Sequence, residues 1–396
     1  MRYYPLLGCV LISSAAMPAL AAPALPGVDS AMQSMIDAHE IAGAVTVVAT
    51  GREIVHVGAV GYADVAAQKP MQTDALFRIA SMSKPVTSVA ILMLQDDGKL
   101  SVTDPVAKYI PEFADLKTPS GKPANLTIAQ LLNHTSGLAD PRVSPAMAVK
   151  TLRDYLRVTL SQPMQFEPGT VWRYTSSGFN ISGLIVEIVS GQPFEVFLQN
   201  RLFGPLGMPD TTFYPSDAQM LRIPRSYRAN PTGGTLTVQQ GSGPSSSKPT
   251  RDDTPPMGAG GLFSTAGDYA RFGQMLLNGG ALDGKRYLSA DAYKALTTIC
   301  TGDLPTGYTK SKLNQVLGWG LGVAIVKAPA GGVSAQLSPG SFGHPGALGT
   351  GAWIDPVKGA VYVMMVQRQN MPDNFENPPA LAFVRAAAAA LANPNH

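Results

Sequence analysis

A serine and a lysine stand three residues apart in the run Phe77-Arg78-Ile79-Ala80-Ser81-Met82-Ser83-Lys84-Pro85. On a helix that spacing puts both side chains on one face, close to one turn apart. A serine hydroxyl is a poor nucleophile until a base takes its proton. A lysine amine can be that base once desolvation or a neighbouring cation lowers its pKa. The pair therefore reads as a nucleophile with its base; the competing reading is a polar cap ahead of a core helix. A second Ser-x-x-Lys, Ser245-Ser246-Ser247-Lys248, lies in a Gly/Pro/Ser-rich stretch without helical periodicity and is set aside. The residues after Lys84 favour the first pair. Val86, Val89, Ala90, Leu92, Met93 and Leu94 form an apolar helical run that ends at Gly98. Pro85 has no backbone donor and fits only a first turn. The helix is expected to start very near Ser81, with its free N–H groups and positive dipole end beside the hydroxyl.

Acyl-transfer chemistry also needs a proton shuttle and an oxyanion hole. The segment Trp172-Arg173-Tyr174-Thr175-Ser176-Ser177-Gly178-Phe179-Asn180 follows a turn signal, Glu167-Pro168-Gly169-Thr170, and precedes a helix. Tyr174 is thereby placed on a loop, where catalytic groups often sit. A tyrosinate held by a lysine ammonium could act as base or shuttle; the plainer reading is a ring covering the core. The segment Gly343-His344-Pro345-Gly346-Ala347-Leu348-Gly349-Thr350-Gly351 comes just before a strand pattern. Glycines at a strand edge let a substrate backbone approach closely. The free N–H groups there could complete an oxyanion hole with that of Ser81, or the segment is an ordinary Gly/Pro loop.

Several elements must hold these groups in place. Ala44–Ala49 and Ile54–Val60 are β-rich runs around Thr50-Gly51-Arg52-Glu53 and predict an antiparallel hairpin. Val28 to His39 reads as an amphipathic helix before it. From about residue 81 to 200 the pattern is mostly helical, with Ile128–Leu132, Ala146–Leu160 and Gly183–Val189 as examples. Strand patterns return at Trp319–Val326, Ala352–Ile354 and Ala360–Val366, and a helix follows from about Pro379. Strands at both ends with helices between them predict an α+β architecture. One antiparallel sheet is built from both chain ends and flanked by helices, with an inserted, mostly helical lobe. The expected division is an α/β lobe of about 28–80 plus 257–396 and a helical lobe of about 81–256, with a cleft between them. Residues 229–256 are rich in Gly, Ser, Thr and Pro and read as a long surface loop, a frequent lid or binding element.

Composition narrows the function classes. Charged residues make up 14% of the chain and the net charge is only +3, with no long Lys/Arg block, so nucleic-acid binding has little support. Arg2, the apolar run Leu6-Leu7-Gly8-Cys9-Val10-Leu11-Ile12 and the small residues up to Ala19-Leu20-Ala21 predict a secretory signal peptide over 1–21, cleaved after Ala21 or Ala22. The destination is a periplasm or the outside of the cell. The apolar run is too short for a membrane span, so no stable membrane insertion is expected. Cys9 is too near the start for a lipoprotein signal. After cleavage only Cys300 remains, which excludes an intramolecular disulfide. No H-E-x-x-H and no Cys/His cluster is present, so neither metal nor other cofactor is called for. His39 and His56 read as ordinary surface or satisfied histidines. No G-x-S-x-G elbow is present for an α/β-hydrolase.

In their order, Ser81-x-x-Lys84, Tyr174-x-Ser176 and His344-Pro345-Gly346 resemble the three motifs of class C β-lactamases, serine D,D-peptidases and family VIII carboxylesterases. The flanking segments Leu131–Leu138, Gly258–Thr265 and Ile354-Asp355-Pro356 are similar to that family too, and the likeness covers roughly residues 30 to 390. The resemblance implies that Ser81 is acylated and that Lys84 and Tyr174 form the base pair that activates it. It implies an oxyanion hole from the N–H groups of Ser81 and Ala347, and substrate contacts at Ser176, His344 and Gly346. His134 also matches a family position and is read as structural.

Two departures bear on substrate. Ser176 replaces the Asn that the lactamase pattern carries, and His344-Pro345-Gly346 replaces Lys-Thr-Gly. A lysine there is a fixed cation for a carboxylate. His344, with an unperturbed pKa of about 6.5, is expected to be mostly neutral, and Pro345 offers neither hydroxyl nor N–H. The expectation is a secreted serine hydrolase acting on short-chain, neutral esters, with a small-molecule ester as substrate and an oligomeric state the sequence does not set. The alternative is a D,D-peptidase or weak class C-type β-lactamase acting on amides. Lys84 and Tyr174 remain equal candidates for the acylation base.

Overall fold

The computed structural model describes residues 24–143, 148–230, 234–306, 316–371 and 377–392. The expected signal peptide lies outside the described residues. Eight strands form one antiparallel sheet in the order Leu317–Trp319, Ala324–Val326, Phe342–Pro345, Gly351–Asp355, Ala360–Met365, Gly43–Thr50, Ile54–Asp64, Lys69–Pro70. Both chain ends thus enter one sheet, as the late return of strand patterns predicts. At its centre Val47 lies opposite Val363 on one side and Val57 on the other. The run Val45-Thr46-Val47-Val48 suits that place because β-branched side chains pack well on a pleated surface.

The strand Gly43–Thr50 is buried along nearly its whole length, because helices cover both faces of the sheet. Val45, Val47 and Ala49 join the core that holds Phe272 and Met275 of helix Ala266–Leu277. Ala44 and Val48 point the other way. They join Val28 and Met32 of helix Val28–Asp37 and Phe383 and Val384 of helix Pro378–Ala392.

The sequence expectations need three corrections. The single strand expected over Trp319–Val326 is a hairpin, Leu317–Trp319 paired with Ala324–Val326. Gly320 and Gly322 break the run, and Gly322 takes the left-handed conformation at φ +85° that a tight turn needs. The helix expected from Ala146 begins at Leu152, where Thr151 and Asp154 form a reciprocal capping box; Ala146 itself lies outside the described residues. The 229–256 loop carries a short strand, Thr237–Val238, and a 3-10 turn, Gly243–Ser245. Arg225 ties this segment down through Ser242 O and Ser245 Oγ, both at 3.2 Å, while its Nε pairs with Asp64 at 3.0 Å.

Between the sheet strands the chain runs mainly through helices, of which Ser83–Asp96 and Ser177–Ser190 carry site residues. They pack against each other, and Ile128–Leu132 packs on the second. Gly178 permits that approach, since a Cβ there would stand 2.2 Å from the Leu131 carbonyl oxygen. The obstacle is backbone and cannot rotate away. Gly178→Ala is expected to destabilise the fold by about 2 kcal/mol or more, read as a lower denaturant midpoint at unchanged m-value. An unchanged midpoint would mean that the helices separate without cost. Among the described residues no single helix is long and apolar enough to cross a membrane.

Candidate active site

Ser81 sits in a 3-10 turn, Ala80–Met82, and the α-helix begins at Ser83, two residues later than the hydroxyl itself. The turn is clamped from several sides. Ser83 Oγ donates to Ala80 O at 2.8 Å and accepts from Leu262 N at 3.2 Å. Tyr269 donates its hydroxyl to Met82 O at 2.8 Å, and Ile79 N donates to Leu262 O at 3.1 Å. Ala80 adopts φ +45°, a left-handed conformation that costs a residue with a Cβ free energy. These bonds hold it there and leave Ser81 half-buried at the surface of the turn.

Lys84 is fully buried, as are its helix neighbours from Ser83 to Leu94. Its Nζ donates to Ser81 Oγ at 3.1 Å and to the Ala259 carbonyl at 2.9 Å. The amine also lies over the Tyr174 ring, 4.7 Å from its centroid. Burial disfavours the charged form and lowers the Lys84 pKa to about 7, against a smaller opposing pull from Asp140. Near neutral pH a large share of the amine is therefore an unprotonated base.

The Tyr174 hydroxyl lies 3.4 Å from His344 Nε2, and His344 Nδ1 lies 2.6 Å from Pro345 O. A carbonyl only accepts, so Nδ1 carries the ring proton and Nε2 accepts from Tyr174. Burial, with Lys84 adding to it, pulls the His344 pKa down to about 3. The ring is neutral, as expected, with a pKa held further below its ordinary 6.5 than the sequence alone suggests. Packing explains the difference, because the imidazole is 2% exposed and lies against Tyr174 and Trp319.

His134 is structural in its contacts. Its Nδ1 accepts from Thr175 N at 3.1 Å and its carbonyl accepts from Arg173 N at 2.9 Å, so it splints the loop that presents Tyr174. Burial, Lys84 and His344 hold its pKa well below the ordinary range. The protonated Nε2 is buried without a hydrogen-bond partner among the described residues, within rings of Trp172, Tyr174, Phe179 and Trp319.

Ser176 caps the helix Ser177–Ser190 with its backbone, and its side chain makes no capping bond. The cap comes from Asp140, whose carboxylate accepts from Ser176 N, Ser177 N and Ser177 Oγ, each at 2.8 Å. An anion there also complements the helix dipole. Gly346 brings the end of strand Phe342–Pro345 against the nucleophile turn, since a Cβ on it would stand 2.6 Å from Ile79 O. Ala347 follows, exposed, in the turn after that strand.

The structure thus joins Ser81, Lys84, Tyr174 and His344 in one chain of contacts and sets Gly346 and Ala347 beside it. Ser176 is two residues from Tyr174 in sequence, and its N–H is bonded to Asp140. Sequence reasoning gave no role to Asp140, Asn180 or Ala259. Asn180 Oδ1 accepts from Ala259 N at 2.9 Å and so aims the carbonyl that receives Lys84. The Gly258-Ala259-Gly260-Gly261 run held a signal, as a glycine-rich segment after a long loop. Asp140 held none, because a lone acidic residue after Gly137-Leu138 looks like any loop aspartate.

A half-buried serine whose oxygen meets a buried, weakly basic lysine, with a tyrosine ring against the amine, has the parts of a serine acyl-transfer enzyme. Residues 28–386 match the family model described as Beta-lactamase. The chain belongs to the β-lactamase family and is a serine hydrolase of that fold. It is 32% identical to protein Rv1367c of Mycobacterium tuberculosis over 406 residues, covering 94% of each chain. It is 32% identical to esterase EstB of Burkholderia gladioli over 61% of this chain and 67% of that one. It is 27% identical to the D-alanyl-D-alanine-carboxypeptidase/endopeptidase AmpH of Escherichia coli over 76% of this chain and 70% of that one. Among solved structures, EstCE1, described as a hydrolase with promiscuous acyltransferase activity, superimposes with a TM-score of 0.77 at 22% identity. That match covers 91% of this chain and 97% of EstCE1 and supports the fold.

Proposed function

We propose that this protein is an exported serine esterase that cleaves short-chain carboxylic esters through an acyl-enzyme on Ser81. The observation that carries the reading is the 3.1 Å contact between Ser81 Oγ and a fully buried Lys84. Unprotonated Lys84 takes the Ser81 proton as Oγ attacks the ester carbonyl. The N–H groups of Ser81 and Ala347 receive the developing oxyanion. The proton passes to the departing alkoxide, with Tyr174 as the carrier beside the amine. Water then attacks the acyl-Ser81, gives up a proton by the same route and releases the acid. In the resting site the Tyr174 hydroxyl keeps its proton and donates a hydrogen bond to neutral His344, which favours Lys84 over Tyr174 as the acylation base.

The ester preference rests on what the site lacks. Ser176 stands where the lactamase motif has Asn, and the third motif presents a neutral imidazole and a proline in place of a cation and a hydroxyl. The likeness to EstB supports the same choice. The likeness to AmpH favours a second reading, hydrolysis of D-Ala-D-Ala peptides.

One panel separates the two: p-nitrophenyl acetate and butyrate, a chromogenic cephalosporin and a D-Ala-D-Ala peptide. Mass spectrometry of the quenched enzyme would locate the acyl group. Turnover of the esters with an acyl adduct on the Ser81 peptide is the expected result. Faster hydrolysis of the cephalosporin or the peptide than of either ester would reverse the ranking. Export predicts a mature protein that begins at Ala22 or Pro23; recovery of the intact chain with Met1 from cells would contradict it.

The Lys84 pKa sets the pH dependence. The base must be unprotonated, so kcat/KM is expected to fall about tenfold per pH unit below about 7 and to level off above it. His344 adds no second limb between pH 5 and 8, because it is already neutral there. A flat profile from pH 5 to 8 would remove Lys84 from the role of base.

A further inference from the structure

A polar groove of about 440 Å³ opens beside the nucleophile turn, between the 239–247 segment and the strand end at Gln367–Gln369. Its position ties it to the reaction. Leu348 in its wall directly follows Ala347, and Arg78 in its wall precedes Ser81 by three residues. Gln367 Nε2 donates to the Arg78 carbonyl at 3.2 Å and so links the groove to the segment that leads into the nucleophile turn.

The lining carries amides, hydroxyls and one guanidinium, and no carboxylate. Arg78 is exposed and has no ion pair among the described residues, whereas neighbouring Arg222 and Arg225 pair with Asp74, Asp210 and Asp64. Its guanidinium lies over the Phe263 ring at 4.8 Å, which fixes the plane of the group. Ser246 Oγ, also in the lining, is buried without a partner among the described residues. A pre-positioned guanidinium without a counter-ion suits a planar oxyanion held by two parallel N–H bonds.

We propose that this groove binds a carboxylate carried by the substrate, with Arg78 as its cation, so that the preferred substrates are esters bearing an anionic group. This rests on the esterase reading and revises its neutral-ester expectation: the third motif supplies no cation, and Arg78 supplies one from the adjoining groove. The carboxylate sits on the acyl or the alcohol half, and the test distinguishes them.

The acyl pair is p-nitrophenyl hydrogen glutarate against p-nitrophenyl pentanoate. The alcohol pair is 3-acetoxybenzoate against phenyl acetate. For each, the ratio of kcat/KM, anionic over neutral, is measured in the wild type, Arg78→Gln, Arg78→Lys and Ser247→Asp. In one of the pairs the ratio is expected to fall at least tenfold in Arg78→Gln and by a smaller factor in Arg78→Lys, which keeps the charge but loses the two parallel N–H bonds. Ser247 is an exposed rim residue, so Ser247→Asp tests the groove even if Arg78→Gln does not fold; placing an anion there is expected to lower the same ratio. Ratios unchanged in both pairs for Arg78→Gln, or for Ser247→Asp if the former is unfolded, overturn the proposal. Labelling of Ser81 by a phosphonate ester probe is followed in parallel. Failure of that labelling together with absence of all ester turnover defeats the esterase reading itself, a distinct result.

Discussion

Ser81→Ala is expected to lower kcat/KM for p-nitrophenyl butyrate by at least about 10⁴-fold, a loss of roughly 5 kcal/mol of transition-state stabilisation. The size follows from the lack of a substitute. Ser83, the nearest hydroxyl in sequence, is fully buried and has both its donor and acceptor bonds committed to Ala80 O and Leu262 N. It cannot turn toward a substrate without opening the turn. Lys84 survives in the variant and can still activate a water, which limits the loss to less than total. The fold should be indifferent, because Ser81 is half-buried and its Oγ accepts from Lys84 Nζ. Steady-state assays beside thermal melts decide the matter. Residual activity above about one hundredth of the wild type would move the nucleophile elsewhere.

Lys84→Met separates activity from stability. Loss of the base is expected to reduce kcat/KM by about 10³-fold, within the usual range for general acid–base groups. The fold is expected to gain heat stability at pH 7 and below. The sign follows from linkage. The amine has a pKa of about 7 in the folded protein and about 10.4 when exposed. Between those values the unfolded chain binds more protons, so this group makes stability rise with pH across that window and imposes its full cost below it. That cost is on the order of 4 kcal/mol. Against it, methionine leaves the Ala259 carbonyl without its partner, which costs about 1–3 kcal/mol. The balance favours the variant in neutral and acid solution. A melting temperature below the wild-type value at pH 6 would show that the amine is better solvated than its burial suggests.

Chemistry was easier to read from the sequence than the geometry that tunes it. Ser81, Lys84 and Tyr174 are visible because short motifs fix both residue type and spacing. The sheet built from both ends is visible because β-branched runs such as Val45–Val48 and Ala360–Val366 stand out beside helical periodicity. The helix start very near Ser81 is visible too, but not that Ser81 itself lies in a 3-10 turn just ahead of it. Tyr269 and Leu262, which bond to that turn, are 187 and 179 residues away from their partners. The neutrality of His344 was underestimated for a related reason. A pKa shift of that kind depends on which rings cover the imidazole, and Trp319 arrives from about 25 residues upstream. Asp140 and Asn180 support the site through single long-range bonds, which leave no periodic trace in a sequence.

The pairing at the centre of the sheet also bears on how the molecule is made. Gly43–Thr50 pairs with Ala360–Met365, a partner more than 300 residues away along the chain. During synthesis the N-terminal hairpin must wait, with one edge unpaired, until almost the whole polypeptide has emerged. Contacts of such long range slow folding, and open strand edges invite association between chains. Residue Thr46 and its apolar neighbours thus form the segment most in need of protection in a nascent or truncated chain. A fragment that stops before Ala360 would contain the whole Ser-x-x-Lys pair and still lack the strand that closes the sheet on which it rests.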